Sequence, residues 1–161
     1  MKTKKSLLLS AVVALVAVPI VYAASVHFKK APTFSDLGET LKTCFSLAGL
    51  GNQDVHISIS ADGLANVTCT NPGGNTAPGQ NRVPVRQFDD IVVSATEIKN
   101  GNLSVCLTTD PTADPTALEA GCPNGNWTTD INDVQFTSAT ITVTQGGQVV
   151  LQKTFTNIPP R

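Results

Sequence analysis

The chain carries four cysteines, and their surroundings sort them into two kinds. Cys44 and Cys106 fall mid-segment in "LKTCFSL" and "NLSVCLTT", each on the face that carries polar neighbours. Cys69 and Cys122 sit where alternating segments give way to loops, in "CTNP" and "CPNG". Thiolates could hold zinc, but no CxxC spacing occurs and the histidines are only His27 and His56, so the zinc reading is set aside. Four cysteines in an exported chain imply two disulfides, with three connectivities open. Similar environments favour Cys44–Cys106 and Cys69–Cys122, and the other two pairings remain alternatives.

The remaining chemistry would have to come from acids, amides and the two histidines. There is no G-x-S-x-G elbow, P-loop or H-E-x-x-H. A Ser-His-Asp triad would need His27, in an N-terminal arm, or His56, which alternates with Ser58 and Ser60 on a polar strand face. Asp89-Asp90, Asp110 with Asp114, and Asp130 with Asp133 are the carboxylate pairs that glycoside hydrolysis could use, although loop aspartates commonly serve turns. The chain is read as non-enzymatic. A hydrolase with an unrecognised carboxylate site stands as the second alternative.

Asp110, Asp114, Glu119, Asp130 and Asp133 also cluster in or beside one loop. Calcium takes six to eight oxygens from such segments. No EF-hand spacing is present, so no metal or other cofactor is assigned, and these acids are the candidates should calcium bind. The 69–84 loop, "CTNPGGNTAPGQNRVP", offers the amides of Asn71, Asn75, Gln80 and Asn81. With Trp127 these form the candidate site for a small ligand or carbohydrate, the first alternative function. The plainer expectation is a rigid cap whose amides bond its own backbone. A Cys69–Cys122 bond would tie this loop to the second long one, "DPTADPTALEAGCPNGNW", where Asp114 and Pro115 are expected to open a short turn ending at Gly121.

The elements that must position these residues read as strands. Leu41, Thr43, Phe45 and Leu47 share one face, as do Val55, Ile57 and Ile59, and then Ala65, Val67 and Cys69. Period-two alternation marks half-buried strands. Asp62-Gly63 is a hairpin signal between two of them. Asn100-Gly101 and Gly146-Gly147 mark further turns, and Leu103, Val105 and Leu107 alternate with polar neighbours. No amphipathic helix appears. Seven to nine short strands imply an all-β, antiparallel β-sandwich, immunoglobulin-like or similar, stapled by two disulfides.

"MKTKK", the apolar "SLLLSAVVALVAVPIV" and "VYA" form a bacterial-type secretory signal over residues 1–23. Its removal leaves an extended arm over 24–32 and one domain over 33–161. The mature chain keeps eight Lys and Arg against twelve acids, a net charge of about −4. Nucleic acid is excluded as a partner on that balance. No later segment is apolar enough for stable membrane insertion. The arm could add to a neighbour's sheet, but Lys29, Lys30 and Pro32 guard it, so self-assembly is not favoured.

"HFKKAPTF", "SLAGLGN", "CTNPGGNTAPGQN" and "AGCPNGNWT" followed by "DVQFTSATITVTQGGQVVL" resemble a group of small secreted bacterial β-domain proteins of unassigned function. The resemblance covers most of the mature chain. It implies export and a compact β-domain and transfers no catalytic residue. Cys69 and Cys122 lie inside its motifs, whereas Cys44 and Cys106 are additions to them, which favours pairing those two with each other. The expected protein is therefore an exported interaction or structural protein. It would act at the cell surface, in the periplasm or outside the cell, on a protein or surface glycan.

Overall fold

The computed structural model describes residues 25–161; the signal segment lies outside them. The described residues form an all-β antiparallel sandwich of nine strands. They are β1 (His27–Phe28), β2 (Thr33–Asp36), β3 (Leu41–Ala48), β4 (Val55–Thr70), β5 (Thr76–Pro78), β6 (Val83–Val93), β7 (Leu103–Thr108), β8 (Thr128–Gln145) and β9 (Gln148–Phe155). A single 3-10 turn, Ala95–Glu97, joins β6 to β7, with Ser94 and Glu97 forming its capping box. In one sheet β3 is central, with β7 on one side and β2 and β1 in succession on the other. In the second sheet β4 is central. β8 runs along one side of it with β9 beyond, and β6 and then β5 pair with the other side.

The alternation of the sequence becomes the core. Leu41, Leu47, Val55, Ile57, Ile59, Val134, Ile141 and Val143 are fully buried between the sheets. Each such aliphatic side chain contributes roughly 1.5–3 kcal/mol by leaving water. The Gly146-Gly147 hairpin and the Asn100-Gly101 turn form where expected, the latter closed by Lys99 and Asn102.

Asp62-Gly63 does not turn. β4 continues straight through it for 16 residues, and β8 takes up one extra residue, Thr137, opposite. The pair marks a bulge because Gly63 lies against β8. A Cβ there would sit 2.6 Å from Val134 Cγ1 and 3.0 Å from the Gln135 carbonyl. Asp62 binds all three strands: Oδ1 accepts from Arg86 Nε (2.7 Å), Oδ2 from Ser138 Oγ (3.2 Å), and its carbonyl from Thr137 Oγ1 (3.1 Å).

The two lateral sides of the sandwich are closed differently. On the side of β1, β2 and β9, Phe28 packs on Phe45 and Phe155 at 5.5 and 5.7 Å, and Phe34 on Phe155 at 5.4 Å. The arm is thereby folded into its own sheet, with His27 and Phe28 paired to Ala48 and Leu47. On the side of β6 and β7, closure is polar and partial. Gln87 and Thr109 are both buried. Gln87 Nε2 donates to the Glu39 carbonyl (2.6 Å), and Thr109 Oγ1 donates to Gln87 Oε1 (2.6 Å) while accepting from Leu41 N (2.9 Å).

Candidate functional site

The 69–84 loop is more ordered than its composition implies. Asn71 N donates to Asn75 O and Asn71 Oδ1 accepts from Asn75 N, closing a tight turn. Thr76–Pro78 then returns as β5 along the end of β4. Gly79 N reaches Val67 O (2.8 Å), and a Cβ on Gly79 would meet the Ala120 carbonyl at 2.7 Å. Asn81 bonds the second loop twice, through N to Ala120 O and Nδ2 to Glu119 O, both at 3.1 Å. Gln80 Nε2 donates to Pro78 O. The disulfide Cys69–Cys122 joins the same two loops, and the other bond is Cys44–Cys106. The side-chain amides of Asn71, Gln80 and Asn81 thus serve backbone, as in a cap, while Asn75 takes part through its backbone. Trp127 is half-buried against the core rather than displayed as a platform.

The second loop also departs from expectation. Its turn is opened by Thr116, not Asp114: Thr116 N and Oγ1 both donate to Glu119 Oε2, at 2.8 and 2.7 Å. The Thr116 hydroxyl, then its backbone N–H, hold the Glu119 carboxyl below its usual range. Asp114 Oδ1 instead accepts from Ile131 N (2.9 Å), beside a second bulge in β8 where Asn132 is the extra residue. Asp133 contacts Asn66. Among the described residues no three His, Cys, Asp or Glu side chains converge as metal ligands, so Asp110, Asp114, Glu119, Asp130 and Asp133 are not brought together. His56 Nε2 pairs with Asp90 Oδ2 at 2.8 Å on the open face of the sheet, and His27 Nδ1 with Ser25 O. Asp89 Oδ2 accepts from Thr108 N.

A different feature stands out between β6 and β7. β6 meets the segment that follows β7 where Asp110 N donates to Phe88 O (3.0 Å), below which Gln87 and Thr109 fasten the sheets. Above that contact the two strands diverge into an open groove of about 470 Å³, lined by Ile91, Val93, Leu103 and Val105, with Glu97 and Lys99 at its rim. Ile91 points the same way as buried Val93 and Gln87, yet is 40% exposed because nothing covers it. Val92, on the outer face, is 64% exposed and Phe88 50%.

Strand parity shows what the groove presents. Thr108 N and Asp110 N point away from β3, to Asp89 and Phe88, while Thr109 N points back to Leu41 O. Backbone groups alternate sides along a strand, so the N–H and C=O of Ser104 and Cys106 point outward. The Phe88 carbonyl likewise faces away from β4, which directs those of Asp90 and Val92 outward. Among the described residues β7 pairs only with β3, and β6 only with β4. An apolar cleft bordered by two unpaired strand edges can receive an extended backbone. Leu103–Thr108 carries neither charge nor proline, the usual guards of an edge.

The sequence reading did not single out this groove. Its one local signal is "DDIVV", where three consecutive apolar residues break the alternation and put Val92 on the solvent face. No protein-family model matches the chain, and no curated protein does either.

Proposed function

We propose that this protein is an exported, non-enzymatic interaction module that binds an extended strand of a partner protein along β7, in the β6–β7 groove. The carrying observation is the open groove with its unpaired outward groups at Ser104 and Cys106. The opposite side of the sandwich is closed by Phe28, Phe34, Phe45 and Phe155, so openness here is not a general property of the fold. Two disulfides suit an oxidising compartment. The signal sequence and the resemblance to small secreted bacterial β-domains support secretion to the periplasm, the cell surface or beyond.

Proline at Ser104 removes an outward N–H and the exposed side-chain hydrogen bond to Ser46 but leaves the backbone ladder to β3 intact, since prolines are tolerated on edge strands. The mature protein and Ser104→Pro should be used side by side to capture partners from the producing cell's own culture. The wild type should retain a partner that the variant loses, with slowed amide exchange at Ser104 and Cys106 in the complex. A partner held equally by both proteins, or exchange protection confined to the 69–84 loop, overturns the strand-addition reading. Quenching of Trp127 by a member of a glycan panel, with β7 exchange unchanged, would favour the carbohydrate alternative instead. Hydrolysis lost on replacing Asp110, Asp130 or Asp133 would favour the hydrolase.

A further inference from the structure

The two disulfides differ in what they hold and in what can reach them. Cys69 is fully buried and Cys122 nearly so, and their bond ties two loops that are distant along the chain. Cys44 and Cys106 face each other directly in the β3–β7 ladder, within a register that runs from Lys42–Thr108 to Leu47–Leu103. That ladder already makes the two strands neighbours. Their side chains point away from the core: Cys106 is exposed and Cys44 half-buried. They open into a hollow of about 350 Å³ where the arm loops out between β1 and β2. Ser46 and Ser104 hydrogen-bond across it at 2.7 Å, and Lys30 is the one charged residue in its lining.

Thiol–disulfide exchange requires a thiolate to approach one sulfur in line with the bond that breaks, so access governs which disulfide reacts. We propose that Cys44–Cys106 is a redox modification site that exchanges with anionic low-molecular-weight thiols, while Cys69–Cys122 stays closed. The external thiolate attacks Sγ of Cys106, the more exposed of the two residues. A new S–S bond forms to the reagent, the Cys44–Cys106 bond breaks, and Cys44 leaves as a thiolate that takes a proton from water. A second reagent thiolate then attacks the reagent's sulfur in the mixed disulfide and releases Cys106 as a thiolate, which is protonated in turn. The reagent ends as its own disulfide and the protein as a dithiol. The Lys30 ammonium favours an attacker of net negative charge over one whose thiolate is offset by its own ammonium. The exchange does not require the β6–β7 groove to take a strand: it uses the outward-facing side chain of Cys106, whereas strand addition would use its backbone.

The test uses the oxidised full protein, with reduced glutathione as the anionic probe and cysteamine as the cationic one. Samples are acid-quenched at intervals, alkylated and mapped by peptide mass. A glutathione adduct on Cys106 with alkylated Cys44 should accumulate at least about tenfold faster than any change at Cys69 or Cys122. Lys30→Glu should slow the glutathione reaction by roughly two- to fivefold and leave cysteamine unslowed. Equal rates at the two bonds, or earlier opening of Cys69–Cys122, would sink the proposal. An adduct on Cys44 would reverse the order of attack, and an unchanged glutathione rate in Lys30→Glu would remove the lysine from it.

Discussion

At the scale of single residues, Asp62 repays the closest reading. It stands where β4 bulges against β8, and its carboxylate accepts from Arg86 on one side and Ser138 on the other. The Arg86 hydrogen bond is the largest cause that holds the Asp62 carboxyl below its ordinary range, opposed by partial desolvation. The sign of the linkage follows. A carboxyl with a depressed folded value adds stability above its unfolded value of about 3.9, and that contribution fades as the pH falls through the folded value. Both side chains are well exposed, so solvent screens the pair and its contribution is small. Urea titrations of wild type and Arg86→Ala should therefore show a modest gap at pH 7 that narrows to nothing toward pH 2 and shrinks in high salt. A gap that widens on acidification would assign the pair a different role.

At the scale of elements, β4 is the axis of the larger sheet. It is uninterrupted because Asp62-Gly63, a strong turn signal in isolation, is held flat by β6 and β8 on its two sides. Glycine is needed there for close approach rather than for a turn. Gly63→Ala must push Val134 and the Gln135 backbone aside, and overpacking of that kind costs about 1–3 kcal/mol. The expected result is a lower urea midpoint with an unchanged slope. A neutral Gly63→Ala would mean that the bulge relaxes freely. The same element scale explains the 69–84 loop. Its prolines and glycines build a short hairpin onto β4, and the amides of Asn71, Gln80 and Asn81 bond backbone in that hairpin and the adjoining loop.

At the scale of the whole molecule, two sheets must be held face to face from both sides. Aromatic rings do this on one side and the Gln87–Thr109 pair on the other, where it defines the closed end of the groove. Gln87 is 3% exposed, so truncation leaves Thr109 Oγ1 and the Glu39 carbonyl short of a buried partner. Gln87→Ala should lose about 2–3 kcal/mol of unfolding free energy. Amide exchange should rise first in β6 and β7, before the β4–β8 ladder opens. Uniform loss of protection would mean that the pair contributes to global stability alone and does not set the groove's closed end.

Sequence by itself determined the class of fold and the inward faces, and it favoured one of three disulfide pairings. Alternation at Leu41 to Leu47 and Val55 to Ile59 is a local consequence of the pleat and survives any packing. The mid-strand, polar-face setting shared by Cys44 and Cys106 is again local, while their bond follows from the β3–β7 register that places them opposite each other. Only the tertiary structure decided that Asp62-Gly63 runs straight, that Thr116 rather than Asp114 caps the second loop, and that the amides of Asn71, Gln80 and Asn81 are engaged. The straight run and the Asn81 bond depend on partners distant in sequence; the Thr116–Glu119 and Asn71–Asn75 bonds are short-range choices between local alternatives. The groove is the furthest case: it exists because β6 and β7 belong to different sheets and part above Phe88. A gap between two strands is a relation between sheets, and no stretch of either strand alone encodes it.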